Sequence, residues 1–267
     1  MIQPTFDSTQ SSRLGPCFEA RPAALLYEDD WLMAFDKPAG LLVHPTFPDG
    51  RPTLIDQARL IRPDATLMHR LDRETSGVVL VTKSPKATRW LAKAFQKRTI
   101  QKNYLAVVHG VPPEPTGTID APLGQAEGSE VRIRRAVVRT GGEKAVTGFR
   151  VLQSFSGFSL LAVKPYTGRL HQIRVHLSFL GTPVVGDKIY GHDERDFIRF
   201  IETGMTPEME TRLLLARHAL HAARVEFLHH NLRRDVEIAA PLPEDMREFI
   251  EARGGSTATT LERASIA

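Results

Sequence analysis

The chain has 267 residues, 42% hydrophobic and 25% charged, ordinary proportions for a globular protein with a sizeable core. Its net charge of +4 and isoelectric point near 9.3 are mildly basic, which alone is weak support for a polyanionic partner. The single cysteine, Cys17, excludes an internal disulfide and a cysteine-rich zinc site and leads us to expect a reducing, cytoplasmic location. No run approaches the roughly 18 apolar residues of a membrane span, and the first residues lack the basic-then-apolar order of a signal peptide.

Residues 1–20 are polar and rich in Ser and Pro, and are expected to form a flexible arm. "AALLYEDDWLMAFDKPAG" predicts two short strands around the turn "EDD", ending at Pro38 and Gly40. "TLIDQARLI" predicts a short helix and "GVVLVTK" a buried strand. "SPKATRWLAKAFQKR" has the clearest helix start, with Ser84 as N-cap and Pro85 in the first helical position. Its apolar face is Ala87, Leu91, Ala94 and Phe95, while Lys86, Arg89, Lys93 and Lys97 recur at helical spacing as one basic stripe.

"IQKNYLAVVHG" predicts a strand, and "EVRIRRAVV", "KAVTGFRVLQSF" and "GFSLLAVKP" alternate as consecutive antiparallel strands. "RLHQIRVHLSFLG" predicts a largely buried helix over 169–180, stopped by Gly181. "HALHAARVEFLHH" with "RRDVEIAA" predicts a late hairpin, and "PEDMREFIEAR" a closing helix before a loose tail at 254–267. No repeat or composition break separates a second core, so one α+β domain over 21–253 is expected, its sheet mostly antiparallel and flanked by helices.

Charge is unevenly placed. No acidic residue lies between Thr75 and Pro113, a window containing Lys83, Lys86, Arg89, Lys93, Lys97, Arg98 and Lys102. Arg132, Arg134, Arg135 and Arg139 form a second basic cluster. One such cluster reads most simply as a solvated face; two favour nucleic acid. No glycine-rich segment matches a phosphate-binding loop or dinucleotide fingerprint, no serine sits in a nucleophile elbow, and the ten histidines show no metal-binding spacing. Neither a cofactor nor a metal is therefore expected.

Three residues carry the chemical argument. Asp72 is a lone carboxylate between Arg70 and Arg73. Arg174 lies on the predicted apolar helix, in a polar line with His171 and Ser178, and needs an anionic partner there. Asp72–Arg174 is a plausible pair, though a purely structural ion pair is the commoner case. Lys102 and Tyr104 share one face of a strand, and a lysine on that face suggests that it borders a cleft.

In order along the chain, "FDKPAGLLVHP", "HRLDRETSGVVLVTKS", "IQKNYLAVVHG" and "KPYTGRLHQIRVHLSFLGTPVVGDKIYG", then "LHA" at 220–222, resemble the RluA branch of the pseudouridine synthases, from about Ala24 to Pro241. The resemblance implies a pseudouridine synthase catalytic domain isomerising specific uridines in rRNA or tRNA, with RNA as partner and no cofactor. It implies a catalytic set of Asp72, Tyr104 and Arg174, and Arg70 occupying the space left by a flipped base. Lys102, Arg169 and His171, with the stripe Lys86, Arg89, Lys93 and Lys97, are expected to bind substrate. Asp36 departs from the family, which usually has Asn before Lys-Pro. Many relatives carry an amino-terminal S4 RNA-binding domain, for which about 20 residues are too few. The chain is thus expected to bind RNA through its catalytic domain, as a monomer needing no obligate protein partner. A non-catalytic RNA-binding module and a glycoside hydrolase remain alternatives; the latter ordinarily needs two cooperating carboxylates.

Overall fold

A computed structural model describes residues 21–46 and 50–258. The expected arm at 1–20 and the end of the expected tail lie outside the described residues.

The first hairpin forms as the sequence implies. β1 (Ala24–Glu28) pairs antiparallel with β2 (Leu32–Lys37). The turn is held by Asp29, whose Oδ1 accepts the amides of Trp31 and Leu32 at 2.7 and 2.9 Å. α1 (Leu54–Ile61) opens with a capping box between Thr53 and Asp56. A two-residue strand, β3 (Thr66–Leu67), pairs with β4 (Ser76–Thr82). α2 (Pro85–Gln96) starts at Ser84, whose hydroxyl accepts the Ala87 amide at 3.3 Å.

β5 (Gln101–His109), β6 (Thr116–Asp120), β7 (Leu123–Gln125), β8 (Arg135–Val137), β9 (Val146–Phe155) and β10 (Phe158–Pro165) follow, then α3 (Gln172–Phe179), α4 (Arg195–Thr203) and α5 (Pro207–Leu213). The chain closes with β11 (Leu220–Leu228), β12 (Asp235–Ala239) and α6 (Glu244–Glu251). The main sheet runs β1-β2-β4-β11-β5-β10-β9-β6, with β3 on β4 and β12 on β11. Among the described residues β4 with β11 is the one parallel pairing of this sheet, which is mixed and mostly antiparallel.

Both faces of the sheet are covered, which is why β4 is buried along its whole length. On one face Met33, Phe35, Val79 and Val81 meet Leu54 of α1, Leu177 of α3 and Phe249 of α6. On the other, Leu32, Ala34, Val78 and Leu80 meet Leu91 of α2. Strand side chains alternate between faces, so each neighbour enters a different core.

Two expectations need correction. Of "EVRIRRAVV" only Arg135–Val137 is strand, and it pairs with β7 in a separate two-stranded sheet. The free edge of β9 is taken by β6, because alternation defines a strand but not its partner. The predicted helix over 169–180 begins only at Gln172. His171 has φ +57°, and the Gln172 side chain ties the preceding turn by accepting from Thr167 Oγ1 and the Arg169 amide. The helix is largely buried, as expected, with Gln172–Leu177 enclosed and Phe179, 62% exposed, at its end. Helices α4 and α5 fill a stretch in which the sequence pattern predicts no element.

Candidate active site

The loop between β3 and β4 carries Asp72 and is fastened at several points. Lys37 is wholly buried, and its Nζ donates to the carbonyls of Pro38, Leu41 and Arg73 at 2.9–3.0 Å. Burial, then the charge of Arg217, pushes Lys37 down to about 7, while three carbonyl acceptors match the three ammonium protons. The Gly40 amide donates to the Arg73 carbonyl at 2.8 Å, and Thr75 Oγ1 bonds His218 Nε2 at 2.7 Å. Gly77 lies opposite Ala222 in the parallel pair with φ +109°; a Cβ there would stand 2.2 Å from the Ala222 carbonyl oxygen. Only glycine lets these strands close and hold the end of the loop.

Arg174 comes from the first turn of α3 and reaches two carboxylates. Its Nη1 donates to Asp72 Oδ2 at 2.9 Å. Its Nε and Nη2 grip Asp187 Oδ2 and Oδ1 at 2.6 and 2.8 Å. The Asp187 side chain is fully buried and Oδ1 also accepts the Ile189 and Tyr190 amides. Gly186 makes that placement possible: its φ is +76°, and a Cβ would sit 2.1 Å from the Arg217 carbonyl oxygen. Asp187 therefore anchors the guanidinium, which in turn holds Asp72.

The electrostatics favour an ionised Asp72. Burial alone would raise its pKa, but nearby positive charge outweighs burial and the value is lowered. His171 Nε2 is 3.9 Å from Asp72 Oδ2. Burial, then Arg174, pushes His171 down to about 4, so near neutrality it is uncharged and Arg174 supplies the attraction. Arg174 itself is raised: burial opposes its charge, yet Asp187 and then Asp72 more than compensate. Among the described residues no hydrogen bond reaches Asp72 Oδ1, while the side chain keeps 21% exposure. One oxygen is fixed and the other is available for chemistry.

That carboxylate lies in a cavity of about 810 Å³. Arg70, Lys102, Tyr104, Arg169, His171 and Arg174 also line it, as do Phe95, Gln96 and Arg98 from the end of α2 and the turn after it. Tyr104 is 8% exposed; burial, then the Asp72 charge, raises its phenol pKa, so it stays protonated. Lys102 shares the cavity wall with Tyr104, and burial lowers its pKa. Arg169 is at the rim, with Nη1 2.6 Å from Glu143 Oε2. His171 Nδ1 bonds the Tyr190 hydroxyl at 2.7 Å.

The structure thus brings together seven of the eleven expected site residues. The stripe Lys86, Arg89, Lys93 and Lys97 is exposed along α2 and its C-cap but does not line this cavity. Lys86 Nζ stands 5.1 Å over the Trp31 ring, toward the opposite end of the helix. Sequence reasoning missed Asp187 and Lys37. The signal for Asp187 was an acid directly after the glycine in the apolar stretch "TPVVGD"; that for Lys37 was a lysine entering "PAG" from an apolar strand.

The family profile described as RNA pseudouridylate synthase matches residues 31–179. A ribosomal large subunit pseudouridine synthase D from Nitrosomonas europaea is 39% identical, covering 88% of this chain and 66% of the relative. One of the same name from Xanthomonas campestris pv. campestris is 37% identical, covering 91% and 73%. Among solved structures, human RNA pseudouridylate synthase domain containing 1 superposes with a TM-score of 0.65 at 27% identity, covering 84% of each chain.

Proposed function

The chain belongs to the RNA pseudouridylate synthase family, and from that premise we propose that it isomerises specific uridines of rRNA or tRNA at Asp72. The target uridine leaves its stack and enters the cavity of about 810 Å³ at Asp72, where Tyr104 packs against the base. The N1–C1′ bond breaks, the base turns, C5 joins C1′, and the proton lost from C5 is balanced by one taken up at N1. Ionised Asp72 acts in this sequence as nucleophile or as a base on the sugar. Tyr104, kept protonated, is suited to moving a proton at the base. Arg174 is a positioning residue that keeps Asp72 charged, and Arg70 fills the space vacated by the base.

The observation that carries this reading is the 2.9 Å Arg174–Asp72 contact in the cavity shared with Tyr104. A glycoside hydrolase would place a second catalytic carboxylate beside Asp72. Here the neighbouring acid, Asp187, is fully buried and gripped by Arg174. The names of the two bacterial relatives support large-subunit ribosomal RNA as the substrate. Since the chain spans 66% and 73% of those relatives, this target is our own assignment. A cytoplasmic location, supported by the single cysteine, and a monomeric state complete the proposal.

Pseudouridine mapping in ribosomal and transfer RNA from cells lacking the gene tests it. Loss of defined large-subunit positions, restored by the wild-type gene but not by Asp72→Asn, is expected. An unchanged pseudouridine map would overturn the reading.

A further inference from the structure

Asp72, His171 and Arg174 also line a second cavity, of about 280 Å³, away from Tyr104. Its walls are largely apolar. Phe197 and Ile201, four residues apart on α4, share a helix face and are both half-buried. Ile133, from the basic segment before β8, adds a side chain 44% exposed. Arg51 and Arg73 join the lining, as do Glu74 and Lys188, whose charges offset each other in an ion pair at 2.8 Å. An apolar slot with Arg51 and Arg73 beside the Arg174–Asp72 pair matches a nucleotide: a flat base for the walls and a phosphodiester for the two arginines not held by Asp187.

We propose that this cavity is the subsite for a nucleotide adjoining the target uridine in the same RNA strand. The inference rests on the uridine occupying the larger cavity at Asp72. Both cavities share that floor, so the occupant of the second lies beside the reacting sugar. The strand itself supplies a nucleotide there by covalent connection, without a separate partner. Phe197, Ile201 and Ile133 would then determine which sequence contexts are accepted, since a base held between apolar walls is selected by size and stacking.

The test is a cycle between protein and RNA changes. A short RNA containing the mapped uridine is prepared with each flanking nucleotide in turn made abasic. Wild-type protein is expected to lose about tenfold in kcat/KM at one flanking position, within the range of base–aromatic stacking. Phe197→Ala should lose a similar factor on intact RNA and little more on that abasic RNA. Ile133→Ser, altering a more exposed side chain, should show the same coupling if Phe197→Ala fails to fold. Losses that simply multiply, or less than a twofold cost at every flanking position, would overturn the subsite.

Binding is read separately with 2-aminopurine at each flanking position and the Asp72→Asn protein. An emission change at one position that Ile133→Ser diminishes supports the subsite even if Asp72→Asn proves fully active, which would sink the catalytic reading alone. Emission unaffected by Ile133→Ser at every position counts against the subsite, whatever the status of Asp72.

Discussion

The chain Asp72–Arg174–Asp187 and the basic stripe of α2 use the same kinds of charge in opposite surroundings. In the first, Arg174 is 5% exposed and meets two carboxylates at 2.6–2.9 Å. In the second, four cations stand exposed along a helix. Removing a buried charge leaves its partners stranded in low dielectric, whereas removing an exposed one changes only a screened field. The buried chain can therefore set the state of one atom, while the stripe can only attract and position a polyanion. Four experiments sharpen or break this contrast.

The largest effect is expected from Asp72→Asn, which keeps volume and removes charge. Uridine isomerisation in single turnover should fall by orders of magnitude with RNA affinity nearly intact. Substantial turnover on a verified substrate would contradict the assignment. The wild-type acid limb provides a companion measurement. Because the folded pKa of Asp72 is depressed, its ionised form and the stability it brings are lost only as pH falls below the ordinary value of 3.8. An activity loss from this group centred well above that value would show that Arg174 does not hold the carboxylate.

Arg174→Met comes next. It should cost about 3–5 kcal/mol in denaturant unfolding, because two carboxylates lose their cation, together with most activity. Adding Asp187→Asn should recover part of the stability but not the activity. No recovery would mean that the pair is not the source of the loss.

Neutralising Lys86, Arg89, Lys93 and Lys97 together to Gln should act on binding alone. Affinity should fall similarly for every RNA. The salt slope should be reduced by roughly 3 for a single strand, at about 0.7 for each phosphate no longer neutralised. Turnover at saturating RNA should hardly change. Unchanged affinity and slope would mark the stripe as a solvated face and move attention to Arg98 and Lys102, which do line the cavity.

The smallest effect concerns Asp36, raised to about 6 by burial against the opposing influence of Lys37. Its folded pKa exceeds the unfolded one, so ionisation costs stability above pH 6 and costs nothing below the ordinary 3.8. Asp36→Asn should therefore stabilise the protein by on the order of 1 kcal/mol at pH 7–8. The gain should shrink as pH falls toward 4; a gain independent of pH would assign it to something other than charge.

Local chemistry was legible in the linear chain. Ser84-Pro85 marks the start of α2 because a hydroxyl cap and a fixed φ act within one turn. The turn that bounds β2, the alternation in β9, the late hairpin and the Asp72–Arg174 pairing could be reasoned from residues that each needed a particular surrounding. Tertiary structure alone decided which strand edges met, since the pattern of β8 is equally compatible with β7 or β9. It also decided that Asp187 would share Arg174 with Asp72. Residues 72 and 174 are separated by 102 positions, and whether a third charge joins them depends on the close approach of Gly186 to Arg217. A sequence displays which groups need partners, but the distances that satisfy them arise only when the sheet closes and the loops are drawn over its ends.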